Sequence, residues 1–433
     1  MSLRNYLDRI RQQKSYLTVD KTISKHLQVA GILKALEPDP VLFQHVVESD
    51  FPVMGNLFCS KETFADYLGI SVDQIIPTLI QAINEHKAPE TTSEAPCQAV
   101  VSDNPDLDTL PILYHCKGDG GNYISSGVMI AGHPKYGQNM DFHRCMQLSN
   151  TEMAVRVVKN RHFDTFLQDL GQVDVAICIG LPPNILVAAA TSVKIGLDEL
   201  EIANALAPFK VVQAKTSPLW IPAEAEFVIE GRVYGDRLQA EGPFVDLTET
   251  QDVIRQQPVL EVKCITHRKN PFWHALLPGG LEHKLLMGMP REPTIFREVN
   301  QVVECLDVHI NPGGCSWLHA IVKIRKQHPD DGRKAIEAAH RGHSSCKHIF
   351  VVDEDIDIYD PLAVEWAMAT RFQADRDLVM LGRERGSSLD PSATPGTYET
   401  CKVGFDLTTP LDQGGKPFAK VPFPEVDLDQ FLT

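Results

Sequence analysis

Three side chains with metal-binding chemistry are spread along the 433-residue chain: the amide of Asn139, the imidazole of His162 and the carboxylate of Glu199. A mixed oxygen and nitrogen set of this kind suits Mn2+ or Mg2+ and leaves coordination positions open for phosphate oxygens or water. A second set is Glu241 and Asp246, in Glu-Gly-Pro-Phe-Val-Asp, with Arg144 in Asn-Met-Asp-Phe-His-Arg. Residues five apart on a straight strand face opposite sides, but Gly242-Pro243 forces a bend that can turn both carboxylates into one cavity. Beside Arg144, Glu241 would stay ionised, while a more apolar setting would raise the proton affinity of Asp246; the pair would then divide into an electrostatic anchor and a proton donor. On spacing alone, surface and loop placement is the simpler account of both sets.

The elements that must position these groups fall into three units, 1–110, 111–290 and 291–433. Leu3, Leu7 and Ile10 recur at helical spacing, Val41 to Val47 reads as a strand, and Ser60 to Gly69 reads as a capped helix with a glycine stop. The proline-rich stretch 85–110 reads as a linker. From Asn122 to Val262, short β-rich segments separated by Gly and Pro favour a barrel or strongly bent sheet, interrupted by a helix with Asp198 as N-cap. The function is expected in this middle unit. After Pro290, helix and strand alternate as in a second α/β sheet, with Asp360-Pro361 opening its last helix.

Several chemistries are disfavoured. The chain has no GxGxxG after a strand and no GxxxxGK[ST], GxSxG or HExxH, which counts against standard nicotinamide, P-loop, hydrolase and zincin sites. Gly118, Gly120 and Gly121 lack phosphate-loop spacing and read as a turn. His340, His343, Cys346 and His348 straddle a helix end and a strand, and the acids at 353–357 precede a capped helix; both groups read as structural. A net charge of −16 repels phosphate backbones and anionic lipid, so neither nucleic acid nor membrane is an expected partner. Ten scattered cysteines without a CxxC pair, and the absence of an apolar signal core, lead to the expectation of a reduced, cytoplasmic protein.

The order of motifs carries a resemblance. Asn139-x4-Arg144, His162, Glu199, Ala-Glu-Phe-Val-Ile-Glu-Gly at 225–231, Glu241-Gly-Pro-Phe-x-Asp246 and Lys402-Val-Gly-Phe-Asp406 together resemble the UbiD family of decarboxylases over nearly the whole chain. The resemblance implies a fold with an N-terminal α/β region, a central split β-barrel that binds flavin, and a C-terminal α/β domain that makes dimers or hexamers. It implies reversible non-oxidative decarboxylation of an α,β-unsaturated, aromatic or heteroaromatic acid through a covalent adduct with prenylated FMN, supplied by a flavin prenyltransferase. Asn139, His162 and Glu199 would hold Mn2+ or Mg2+, with K+ nearby. Cofactor contacts would come from Asn139, Asp141, Phe142, His143, Arg144, Arg161, His162 and Lys402, and the catalytic trio would be Arg144, Glu241 and Asp246.

Val245 stands where many members have Gly, Arg161 where some have Gln, and Asp141 where Ser is frequent, so metal-shell charge and substrate are the properties put in question. His283 and Arg291, eight apart, would clamp a second carboxylate or a phenolate, as of a heteroaromatic diacid or a hydroxybenzoate, if both face the pocket; otherwise they are helix-end cations. Two rival readings are an oxidoreductase using plain FMN on the same barrel and a non-catalytic subunit. The Arg144, Glu241 and Asp246 trio argues against both.

Overall fold

The computed structural model describes residues 2–13, 16–411, 418, 420, 421 and 423–431. Side-chain caps set the helix ends. Ser2 accepts from the Asn5 amide to open the helix Leu3–Gln12, and Ser60 and Thr63 form a capping box for Lys61–Leu68, which Gly69 ends in the left-handed region at φ 72°. Asp198 accepts from Leu200 N to open Glu199–Leu206, and Asp360 does the same for Pro361–Arg371. No helix among the described residues is long and apolar enough to cross a membrane.

Three sheets carry the mixed α/β architecture. The N-terminal sheet runs in the order Leu17–Val19, Val41–Phe43, Val53–Gly55, Trp273–Ala275, so its last strand comes from the far end of the middle region. The expected strand 41–47 is shorter: Val46 makes isolated bridges only. The central sheet has nine strands, all paired antiparallel, built on the long Phe227–Glu241 and Arg255–His267. Part of the stretch that reads as a linker belongs to it, since Val100–Ser102 pairs with Ile265–His267. Alternate residues of these strands fill an apolar core around Phe163, Phe166, Ile177, Phe227 and Ile229.

The C-terminal sheet is mixed, in the order Cys305–His309, His319–Ile324, His348–Val352, Glu399–Asp406, Leu378–Arg385. Of the tail beyond 411, residues 412–417, 419, 422, 432 and 433 lie outside the described residues. The histidines near 340 point apart: His343 donates to the Trp317 carbonyl at 3.1 Å, while His348 meets His319 at 2.7 Å. Of the acids at 353–357, Asp353 and Asp355 pair with the buried Arg371.

Candidate active site

The bend at Gly242-Pro243 brings Glu241 and Asp246 onto the same guanidinium. Arg144 donates through Nε and Nη2 to the two Glu241 oxygens at 2.8 and 3.1 Å, and through Nη1 to Asp246 at 2.7 Å. A third acid, Asp252, lies 2.9 Å from Nη2. Glu241 is fully buried and also accepts from the Tyr123 hydroxyl at 3.2 Å. Burial works against the charged guanidinium, yet hydrogen bonds and charge from Glu241, then Asp246 and Asp252, raise the Arg144 pKa. Phe244 packs its ring 4.9 Å from the guanidinium carbon. The glycine-rich turn braces this loop: Gly120 N donates to Pro243 O, and a Cβ on Gly120 would stand 2.2 Å from Gly242 O. Asp246 does not sit in the apolar setting expected of it, because Leu247 N donates to its other oxygen at 2.7 Å and Arg144 holds the first.

Asn139 and Asp141 share one face of the strand Gly137–Phe142, two residues apart, while Met140 between them is buried in the core. His162 opens the helix His162–Leu170, and its Nδ1 lies 2.8 Å from Asn139 Oδ1 and 4.0 Å from Glu199 Oε1. The 2.8 Å contact is a hydrogen bond, and two ligands about 2.1 Å from one ion and at right angles would stand about 3 Å apart, so the three groups are close enough to share a cation. Glu199 is buried, accepts from Met140 N at 2.8 Å, and has its proton affinity pushed well up by desolvation. A divalent cation would compensate that cost, and the unpartnered amide nitrogen of the buried Asn139 is consistent with an oxygen kept for a metal. Desolvation lowers the His162 pKa, which favours the neutral imidazole that a metal requires. His143, next to Arg144, is opposite in character: despite burial, Asp141 at 2.8 Å and the Arg156 carbonyl raise its pKa.

Both sets open into one cavity of ≈1130 Å³ bounded by the central sheet, the helix Leu281–Gly288 and residues of the C-terminal unit, among them Trp317 and Tyr398. Asp141, Phe142, His143, Arg161, His283 and Arg291 line it too. The Gly279 N–H donates to His283 Nδ1 at 3.0 Å, so the neutral ring, favoured by burial, presents Nε2–H. Arg291 stacks 5.3 Å from the Trp317 ring and, among the described residues, forms no ion pair or side-chain hydrogen bond; its Nε is buried without a partner. Burial and the nearby Arg161 charge pull its pKa down to about 10.

Known proteins are similar to this chain in sequence and fold. Models of the 3-octaprenyl-4-hydroxybenzoate carboxy-lyase N-terminal domain, Rift-related domain and C-terminal domain match residues 7–83, 89–281 and 284–407. The chain belongs to the UbiD family. It is thus a carboxy-lyase of the UbiD class. Its relatives include the anhydromevalonate phosphate decarboxylases of Methanothermobacter thermautotrophicus, 40% identical over 96% of this chain and 98% of that one, and of Methanocaldococcus jannaschii, 38% identical over 94% and 97%. Among solved structures, the UbiD-class enzyme HmfF from Pelotomaculum thermopropionicum in complex with FMN superposes with a TM-score of 0.96 at 32% identity, covering 100% of both chains. An evolved dimeric form of that enzyme, in complex with prenylated FMN, gives 0.92 at 31% identity over 100% of both chains.

Within this UbiD-family chain, one expected contact lies elsewhere. Lys402 is buried on the strand Glu399–Asp406 with Nζ 3.2 Å from Glu384, and it is not among the residues lining the cavity. Two motif acids also have structural partners: Glu226 pairs with Arg4, and Glu230 accepts from the amides of Lys215 and Thr216 at 2.8 and 2.6 Å. Sequence reasoning missed Asp252, Arg255 and Tyr123. Asp252 and Arg255 stand three apart, a spacing too common to mark a site, and Tyr123 meets Glu241 only through the fold.

Proposed function

We propose that this UbiD-class carboxy-lyase decarboxylates an unsaturated carboxylic acid that carries a phosphate, using prenylated FMN with Mn2+ or Mg2+ and K+. The observation that carries the substrate reading is Arg291, a guanidinium without an anionic partner in the wall of the cavity that also holds the acid–arginine set. A charge so placed is costly unless a bound anion meets it, and guanidinium matches phosphate in two-point geometry. Relatives at 40% and 38% identity are named for a phosphorylated substrate, which supports the same reading. Lys159, Arg161 and Arg385 line the cavity as well and make no side-chain pair among the described residues, so the site has enough cations for both a cofactor phosphate and a substrate phosphate.

Prenylated FMN, when bound, supplies the electron sink that an sp2 carbon lacks once CO2 leaves. Asn139, His162 and Glu199 would hold the divalent ion. Arg144 has five N–H donors, four of them engaged by Glu241, Asp246 and Asp252, which leaves one Nη1–H to orient the substrate carboxylate. Asp246, partly exposed at the cavity edge, delivers the proton that replaces CO2 and recovers one from solvent. Run backward, the same groups remove that proton and admit CO2.

Arg291→Ala tests the substrate reading. A phosphorylated unsaturated acid is expected to lose about 100-fold in kcat/KM, the range for a charged two-point contact, while its unphosphorylated analogue changes less than about threefold and flavin content is unchanged. Equal losses on both substrates overturn it, and a selective loss on a dicarboxylate instead would assign Arg291 to a second carboxylate.

A further inference from the structure

Asp252 has had no role so far, yet its position is specific. Its Oδ2 lies 2.9 Å from Arg144 Nη2 and 2.5 Å from Arg255 Nη1, so a single oxygen bridges two guanidiniums. Its Oδ1 accepts from Val253 N at 2.8 Å. The two-residue strand Gln251–Asp252 pairs with Phe244–Val245, with Asp252 opposite Phe244, so Asp252 is fastened by its backbone to the very loop that carries Glu241 and Asp246. Tyr398, a residue of the C-terminal unit held in the left-handed region at φ 57°, lies near Arg255 in the same cavity. Asp252, Arg255 and Tyr398 all line the cavity.

The charges suggest what the arrangement is for. Two guanidiniums, Arg144 and Arg255, pair with three carboxylates, Glu241, Asp246 and Asp252, and a third guanidinium, Arg156, lies close by without a carboxylate of its own among the described residues. When Asp246 leaves Arg144 as a neutral acid to hand over its proton, two ion pairs remain, Arg144 with Glu241 and Arg255 with Asp252, beside Arg156. Without Asp252 three cations would face one anion and would hold Asp246 back as their counter-ion. We propose that Asp252, paired with Arg255, is a positioning residue that holds Arg144 in place while Asp246 leaves it to deliver the proton. The role rests on the proton-donor reading of Asp246.

Asp252→Asn keeps the shape and removes the charge. Measured on the flavin-loaded enzyme, kcat is expected to fall about 10-fold with KM within about twofold of wild type and with flavin content and unfolding midpoint unchanged, the pattern of an interaction needed only after substrate has bound. Unchanged kcat, a loss that follows flavin content, or a change carried mainly by KM overturns the proposal. Arg255→Lys, which keeps the charge and loses the fork, is the second variant should Asp252→Asn fold poorly, and the same split is expected there at about fivefold. Asp246→Asn is run beside them: near-normal turnover in it overturns the donor reading and this role together, whereas near-normal Asp252→Asn beside an inactive Asp246→Asn overturns this role alone.

Discussion

Arg144 Nη1 and Asp246 Oδ2 are 2.7 Å apart, so the acid proposed to protonate the substrate rests against the group proposed to orient it. Asp246→Asn keeps the hydrogen-bonding shape and removes the transferable proton. Turnover is expected to fall about 10²- to 10⁴-fold, the range for a positioned general acid, with flavin still bound. Steady-state rates beside the flavin absorption spectrum check this, and near-wild-type turnover would remove the assignment.

The Asn139, His162 and Glu199 set predicts coupled losses. His162→Ala takes away the imidazole 2.8 Å from Asn139 Oδ1, and bound Mn2+ and flavin are expected to drop together in purified protein. Metal analysis and flavin absorbance read both quantities, and unchanged content of each would contradict the ligand role.

Lys61, on the helix after Ser60, reaches Glu292 at 2.6 Å, where Glu292 is 1% exposed and begins the helix that follows Arg291. Lys61→Met leaves that carboxylate buried without its cation, and removing one partner of a buried pair costs about 3–5 kcal/mol. The expected result is a lower denaturant midpoint, partly recovered in the double variant with Glu292→Gln. A midpoint equal to wild type would show that the pair contributes nothing net.

Two buried histidines of the C-terminal unit, His340 and His343, and the half-buried His319 give the protein an acid-sensitive side. Burial pulls the pKa of His319 and His340 down to about 4 and of His343 down to about 3, the last with help from the Arg291 charge. The unfolded chain takes up protons near pH 6.5 while the folded one does not, so their contribution is complete above that pH and is lost as pH falls from about 6.5 toward 4. Each group contributes a slope of about 1.4 kcal/mol per pH unit inside that window. Denaturant midpoints are expected to fall steeply from pH 6.5 to 5 and to fall less in His340→Leu; equal slopes would exclude His340 as a source.

How much of this was legible in the sequence followed the range of the interactions. Ser60, Gly69, Asp198 and Asp360 mark helix ends through contacts within three residues, and the structure has all four ends where those residues stand. Val100–Ser102 looked like linker because its partner strand is more than 160 positions away and its local composition is that of a turn region. The acid–arginine set was readable because the Gly-Pro bend is local and the motif order points to a family. The donors around Asp246 and the bridge through Asp252 were not readable, because Leu247 N and Arg255 Nη1 acquire their meaning only after the loop has folded back on the sheet. His283 and Arg291 could be placed on one cavity wall only by the near-continuous run of helical turns through Pro290.

The N-terminal sheet takes its fourth strand, Trp273–Ala275, from the chain that leaves the central sheet, and the central sheet takes Val100–Ser102 from the chain that leaves the N-terminal region. The two are sewn together in both directions, with Arg4 and Glu226 as a further stitch. A cofactor as large as a flavin therefore has no way in by parting these two layers. Admission is left to the other wall, where Trp317 and Tyr398 stand in the connections between the strands of a separate sheet.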